Sequence, residues 1–363
     1  MSDPSRHPNF PANLSIGPSR HAKAEQSVDD FEQDDAIQSY GIAGRIWDAS
    51  YPILPYLSRP SALVINQFSP ASTIFAQSDS PLADDESPVT ILELGSGQSM
   101  ATLHLLNQFA GGQDNPPPAD GQSLPKVFLS DLPDVIPLCR RNVQKWRDQH
   151  ERQAGVAQVE VDVVPLAWGD LEMGGQLARQ LASEKRSLTH VLLIDLVYFP
   201  HLYPLLLRSL LQVTMPPFGK ASESRDDTVG GPEVILSYKT RSLEFEEPFF
   251  HALGRYFRVQ PLLVQLEKNK EVAGQVEPQL DHSNDRSEWS VHGVGDETYT
   301  YICHRWASTL ASGWEIPATD SALMYGASKA GDSGGTELLA SEKHAQDRTW
   351  GWVENQLAAI QWD

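Results

Sequence analysis

The chain has 363 residues, enough for one sizeable core carrying long insertions. Its 28 basic against 48 acidic residues leave a formal net charge of −20, which argues against a nucleic-acid binder and favours, beyond plain solubility, a basic protein partner. Two distant cysteines, histidines without ligand spacing and no apolar run of roughly 20 residues argue against a disulfide framework, a metal site and a membrane span.

Residues 1–38 are polar, poor in aliphatic side chains and without an apolar signal core. They are expected to be disordered, at the head of a cytoplasmic protein. Folding is expected to start near Tyr40. The segment Gly41-Ile-Ala-Gly-Arg-Ile-Trp47-Asp48-Ala49 reads as an amphipathic lead into a first helix over 48–66. Val89 to Leu94 is a short apolar run that reads as a buried strand. It contains Glu93 and leads into a glycine pair, Gly95 and Gly97, before a helical pattern over 99–109. Glycine lets a backbone pass close to a ligand, and a helix N-terminus offers unpaired N–H groups. A dinucleotide site asks for a third glycine where this chain has Met100, so E-x-G-x-G speaks against a nucleotide-dependent reductase. Alone, the motif leaves a cofactor site and an ordinary turn equally open.

A second strand, 127–130, leads to Asp131. An acid there accepts hydrogen bonds from ribose hydroxyls, or else caps the helix expected over 133–148 behind Leu132 and Pro133. The third strand, 159–164, is followed by Trp168-Gly169, an indole that stacks on a base or simply fills the core. After a helix at 171–184, the fourth strand, 190–195, runs into Asp195-Leu-Val-Tyr198. That pair faces a cleft at the strand end, or is a cap beside a packed Tyr. Further helices are expected at 202–213, 243–255 and 344–361, and further strands at 233–238, 257–265 and 298–305. This alternation predicts an α/β fold, a doubly wound, mostly parallel seven-stranded sheet whose ligand lies beyond the carboxyl ends of its strands. One domain over 39–306 is expected, with surface insertions at 68–88, 110–125, 216–232 and 267–296. A loop and C-terminal helix fill 307–363.

In order, the motifs G-x-x-x-x-x-W-D-A, E-L-G-S-G, S-D-L-P-D-V-I-P-L-x-x-x-N-V, P-L-x-W-G, D-L-V-Y and S-Y-K-x-R resemble the methyltransferase-like 21 group of protein-lysine methyltransferases. Within it they are most similar to the fungal branch that methylates translation elongation factor 1-alpha. The resemblance runs, with insertions, from about 40 to 306. It implies a Rossmann-like class I methyltransferase fold and S-adenosyl-L-methionine as cofactor. It also implies a folded cytoplasmic protein as substrate, elongation factor 1-alpha or another basic protein, acted on by a monomer.

By position, the family's cofactor-side Trp falls on Trp47 and its glycine-loop contacts on Glu93, Gly95, Ser96 and Gly97. Its ribose acid falls on Asp131, next to Leu132, and its adenine-side Trp on Trp168. Its D-x-x-Y catalytic motif falls on Asp195 and Tyr198. Ile194, at a cofactor-contact position, replaces the small residue common in relatives, and Gln98-Ser99 replaces the commoner Thr-Gly. The implied chemistry needs a neutral amine about 3 Å from the transferred methyl, whereas a free lysine has a pKa near 10.4. Asp195 is expected to orient that amine by hydrogen bonding and Tyr198 to wall its channel, the proton passing to water. Small-molecule N-methylation of the nicotinamide type and a non-catalytic cofactor-binding protein remain the alternatives.

Overall fold

The computed structural model describes residues 9–11, 14–19, 30–60, 66–75, 88–110, 123–151, 159–219, 229–266, 289–293, 297–326, 329–330 and 336–337. Its centre is a seven-stranded sheet. In chain order its strands are β2 (Thr90–Leu94), β3 (Lys126–Asp131), β4 (Glu160–Pro165), β5 (His190–Ile194), β6 (Val229–Lys239), β7 (Phe257–Pro261) and β10 (Thr298–Trp306). In space they run β4-β3-β2-β5-β6-β10-β7. The first five are parallel, and β10 inserts antiparallel between β6 and β7. The order of connection reverses between β2 and β5, which is where an open α/β sheet leaves a crevice.

Side chains alternate across the sheet with a period of two, so each face has its own core. Leu92, Leu94, Leu193 and Leu236 pack on α4 (Leu171–Ser183), α5 (Tyr203–Val213) and α6 (Leu243–Tyr256). Ile91, Val127, Leu129, Leu192 and Ile235 pack on α2 (Met100–Ala110) and α3 (Ile136–Glu151). The β2 residues Ile91 to Leu94 are all buried and serve both faces, which is why the run, Glu93 apart, is apolar without alternating.

Several expectations give way. Among the described residues of the helix expected over 48–66, none is α-helical: Asp48–Ser50 forms one 3-10 turn, irregular turns follow to 60, and β1 (Asn66–Ser69) is a strand. Pro52, Pro55 and Pro60 interrupt the segment, and a proline inside a helix removes a donor and clashes with the preceding turn. The strand expected over 257–265 is two strands. β7 ends at Pro261, Leu262 is buried, and β8 (Leu263–Leu266) leaves for a small sheet with β1 and β9 (Trp289–Val291). Two expected insertions, 68–88 and 267–296, therefore contribute strand residues to that sheet.

The polar N-terminal region also folds, at least in part. Helix α1 (Asp30–Tyr40) buries Ala36 and Gln33. A Cβ on Gly44 would lie 2.2 Å from the Ala36 backbone, so helix and loop meet at bare backbone. The Gln33 carboxamide oxygen accepts from the backbone N–H groups of Ser19 and Ile46, and Ile42 N–H donates to Asn9. Few aliphatics are needed where polar tertiary bonds hold a segment, and composition does not register that. The expected helix over 344–361 lies outside the described residues. Among those residues no helix is long and apolar enough to cross a membrane.

Candidate active site

The turn after β2 is tied down bond by bond. Gly95 and Gly97 adopt φ of +61° and +45°. A Cβ on Gly95 would come within 2.9 Å of Leu196 and 3.1 Å of Trp168, and one on Gly97 within 2.9 Å of the Ala43 carbonyl oxygen. Gly97 thus requires glycine on space as well as on φ, because its neighbour is fixed backbone, whereas at Gly95, which meets side-chain ends, the positive φ makes the demand. Ser96 N–H donates to Ser130 O at 2.9 Å, and Ser130 Oγ donates to Glu93 O at 2.8 Å, locking the turn to the end of β3. Gln98 spans the loop. Its side-chain amide donates to Gly44 O at 2.6 Å, and Asn142 Nδ2 donates to both its oxygens at 3.0 Å.

Glu93 is 3 % exposed and accepts from Thr102 Oγ1 at 2.5 Å, in the first turn of α2. Burial pushes its carboxyl up to about 7, against the lowering effect of the Thr102 and Ser96 bonds. Asp131, at the end of β3, accepts from Gly97 N–H at 2.8 Å through Oδ2 and from Leu132 N–H at 2.7 Å through Oδ1. A carboxylate has about four acceptor positions, so one on each oxygen remains for a vicinal diol. Burial raises Asp131 to about 6, opposed by those two N–H bonds. Asp131 does not cap α3, which begins only at Ile136.

Opposite, Trp168 and Tyr198 stand 6.2 Å apart with planes tilted by 55°, and Phe199 meets Tyr198 edge-on at 4.8 Å. Trp168 is half-buried, and the turn beneath it is fixed by Gly169 N–H donating to Ser209 Oγ at 2.8 Å. Trp47 comes from the N-terminal side, its indole N–H donating to Ile42 O at 2.9 Å. The guanidinium groups of Arg45 and Arg241 lie 4.9 and 5.4 Å from its ring centre.

At the end of β5, Asp195 adopts φ +58°, unusual for a residue with a side chain. Its backbone N–H donates to Ser237 O at 2.7 Å. Its carboxylate is turned towards the end of β6. Oδ1 accepts from Lys239 N–H at 3.1 Å and Arg241 Nη1 at 2.9 Å, and Oδ2 from Arg241 Nη2 at 2.7 Å. The Asp195 side chain has 0 % exposure, whereas Arg241 has 34 %. The left-handed backbone thus aims the carboxylate at Arg241, whose guanidinium binds both of its oxygens.

Every residue nominated from the sequence lines one cavity of about 280 Å³: Trp47, Glu93, Gly95, Ser96, Gly97, Asp131, Leu132, Trp168, Ile194, Asp195 and Tyr198. Ile194 lies in its wall, 8 % exposed. Sequence reasoning missed other lining residues. Asn9 and Leu14 come from the N-terminal region and carry no motif, and Ile42 stood inside the quoted Gly41–Ala49 segment without a role. Arg241 stood inside the quoted S-Y-K-x-R without a role. Its signal was a cation two residues past the end of β6, beside the strand that carries Asp195.

The sequence profile of a family described as lysine methyltransferase matches residues 27–255. Protein-lysine N-methyltransferase EFM6 of Saccharomyces cerevisiae is 27 % identical over 173 residues, 47 % of this chain and 56 % of its own length. The solved structure of SMU.776, described as a methyltransferase complexed with SAH, aligns at 12 % identity with a TM-score of 0.29, over 61 % of this chain and 46 % of that one. The chain thus spans about half the length of each of these relatives.

Proposed function

The chain belongs to the lysine methyltransferase family, and from that premise we propose that it transfers a methyl group from S-adenosylmethionine to a lysine of a folded cytoplasmic protein. The first acceptor to try is translation elongation factor 1-alpha. The observation that carries the reading is the convergence, in one cavity, of the glycine turn, the strand-end acid Asp131, the Trp168–Tyr198 pair and Asp195. The net charge of −20 supports a basic protein partner.

The residues present suit this cofactor. Asp131 keeps one acceptor position on each oxygen for the ribose hydroxyls. Trp168 offers a half-buried aromatic face to an adenine ring. Gly95, Ser96 and Gly97 bring backbone to the cavity wall. When bound, S-adenosylmethionine supplies an electrophilic methyl: the amine lone pair forms the new N–C bond while the C–S bonding pair leaves on sulfur. The chain's own task is to receive a neutral amine in line with that methyl. Tyr198 and Phe199 wall the approach, and burial raises the Tyr198 hydroxyl well above its ordinary value, so it stays a neutral donor. Asp195 organises the corner beside them through its hydrogen bonds to Lys239 and Arg241.

The test is tritium transfer to purified elongation factor 1-alpha and to a lysate from cells lacking the enzyme. Wild type should label a protein, while Asp195→Ala should bind S-adenosylhomocysteine nearly normally and lose about 100-fold or more in transfer, the scale of a lost positioning group. Tyr198→Phe should lose less than Tyr198→Ala. Label appearing only in small molecules, or full activity in Asp195→Ala, would overturn the reading.

A further inference from the structure

A carboxylate alone beside an incoming lysine would stabilise its ammonium form, which has no lone pair to react. The geometry at the end of β5 and β6 removes that difficulty. The Asp195 carboxylate is buried and bound on both oxygens by the Arg241 guanidinium, at 2.9 and 2.7 Å. Arg241 is the exposed member of the pair, lines the cavity and lies over Trp47. It is itself braced: its backbone N–H donates to Glu246 Oε1 at 2.7 Å, and Nη1 also donates to Lys239 O at 2.9 Å.

Resting on the lysine-methyltransferase reading, we propose that Arg241 is a specificity-determining residue that fronts the incoming amine. Asp195 acts as the positioning residue behind it, so that the corner carries no net charge and admits lysine as the neutral amine. The charges around it balance in the same sense. On the N-terminal side Asp48 pairs with Lys239 at 3.1 Å and with Arg45 at 3.5 Å. From α6, Glu246 turns its oxygens onto the Thr240 hydroxyl and the N–H groups of Arg241 and Ser242. Tyr198 and Tyr203, from the segments after β5, both stay protonated because burial raises their hydroxyls. The charge of Asp131, bound to Gly97 and Leu132, also reaches Tyr198. Burial works to lower Arg241, but the Asp195 carboxylate outweighs it and holds the guanidinium charged.

Arg241→Gln would leave Asp195 uncompensated, and an added negative charge at such range raises an amine pKa by about 1–3. The experiment measures kcat at saturating acceptor, which reports the ionisation of the amine in the complex, from pH 6.5 to 10.5, with melting temperature and S-adenosylhomocysteine affinity for each variant. Arg241→Gln should lose at least about 10-fold at pH 7, and its kcat should level off about one pH unit or more above wild type, since below its pKa an amine whose pKa is higher by about one is neutral about tenfold less often. Arg241→Lys should be slower but keep the wild-type pH dependence. The double variant Asp195→Asn with Arg241→Gln, neutral again, should regain that pH dependence at a reduced rate. Affinity for S-adenosylhomocysteine should stay within about 3-fold in Arg241→Gln. A kcat profile that levels off at the wild-type pH, no loss at all, or a fall in cofactor affinity matching the loss of rate would each overturn the proposal. If wild type labels no protein, the proposed function falls and this inference with it.

Discussion

Asp131 ties the glycine turn to the ligand, and its titration should be visible in binding. In the free protein burial raises its carboxyl to about 6, with the Gly97 and Leu132 N–H groups holding it down. Two ribose hydroxyls donating to the remaining acceptor positions favour the ionised form, so the ligand binds the carboxylate and not the acid. At pH 5, one pH unit below that value, about one molecule in eleven is ionised, and affinity should be about 10-fold weaker than at pH 7.5. Glu93 titrates nearby, raised mainly by its own burial and to a lesser degree by the Asp131 charge, so the two are best separated by substitution. Asp131→Asn should bind about 1–3 kcal/mol more weakly at pH 7.5, the worth of charge-assisted hydrogen bonds. It should also lose most of the pH dependence. The assay is calorimetric titration with S-adenosylhomocysteine, whose neutral sulfide avoids a second charge. Wild-type affinity that is flat from pH 5 to 7.5, or a pH slope unchanged in Asp131→Asn, would refute the assignment of Asp131 to the ligand.

Trp47 and Trp168 should report the same ligand: each loses part of its emission on binding, and a full wild-type fluorescence change in both Trp47→Phe and Trp168→Phe would move them away from the site. Glu93 makes a stability prediction whose sign is set by its raised carboxyl. Between its unfolded value near 4.5 and about 7, the folded state holds a proton that the unfolded state has lost, so Glu93 lowers stability as pH rises through that window. Glu93→Gln should therefore gain about 1–3 kcal/mol over wild type at pH 8 and little at pH 4.5, measured by urea denaturation without ligand. Equal differences at both pH values would show that Glu93 is not held against its own ionisation.

The architecture was legible wherever the signal was local. Short β-branched or apolar runs bounded by turn residues or an acid read as strands, and β2, β3, β4 and β5 lie within a residue or so of their expected limits. Their strand-end residues were also legible: parallel strands put their carboxyl ends on one edge, so Glu93, Asp131, Trp168 and Asp195 had to converge once the order of strands was right. What depended on pairing across the chain was not legible. No pattern in 257–265 says that the strand changes sheets at Leu262, or that polar residues around Gln33 and Asn9 close the N-terminal side through hydrogen bonds to Ile46 and Ile42. The direction in which Asp195 points was likewise undecided by its motif. A carboxylate at a strand end can face a cleft or a neighbour, and only the left-handed backbone and the Arg241 guanidinium 2.7 Å away decide for the neighbour. Residue type and spacing determine which chemistry is available, because they act over a few residues. Tertiary structure determines which of those groups remains open to a ligand, because that depends on which charges, forty-six residues apart here, come to rest in contact.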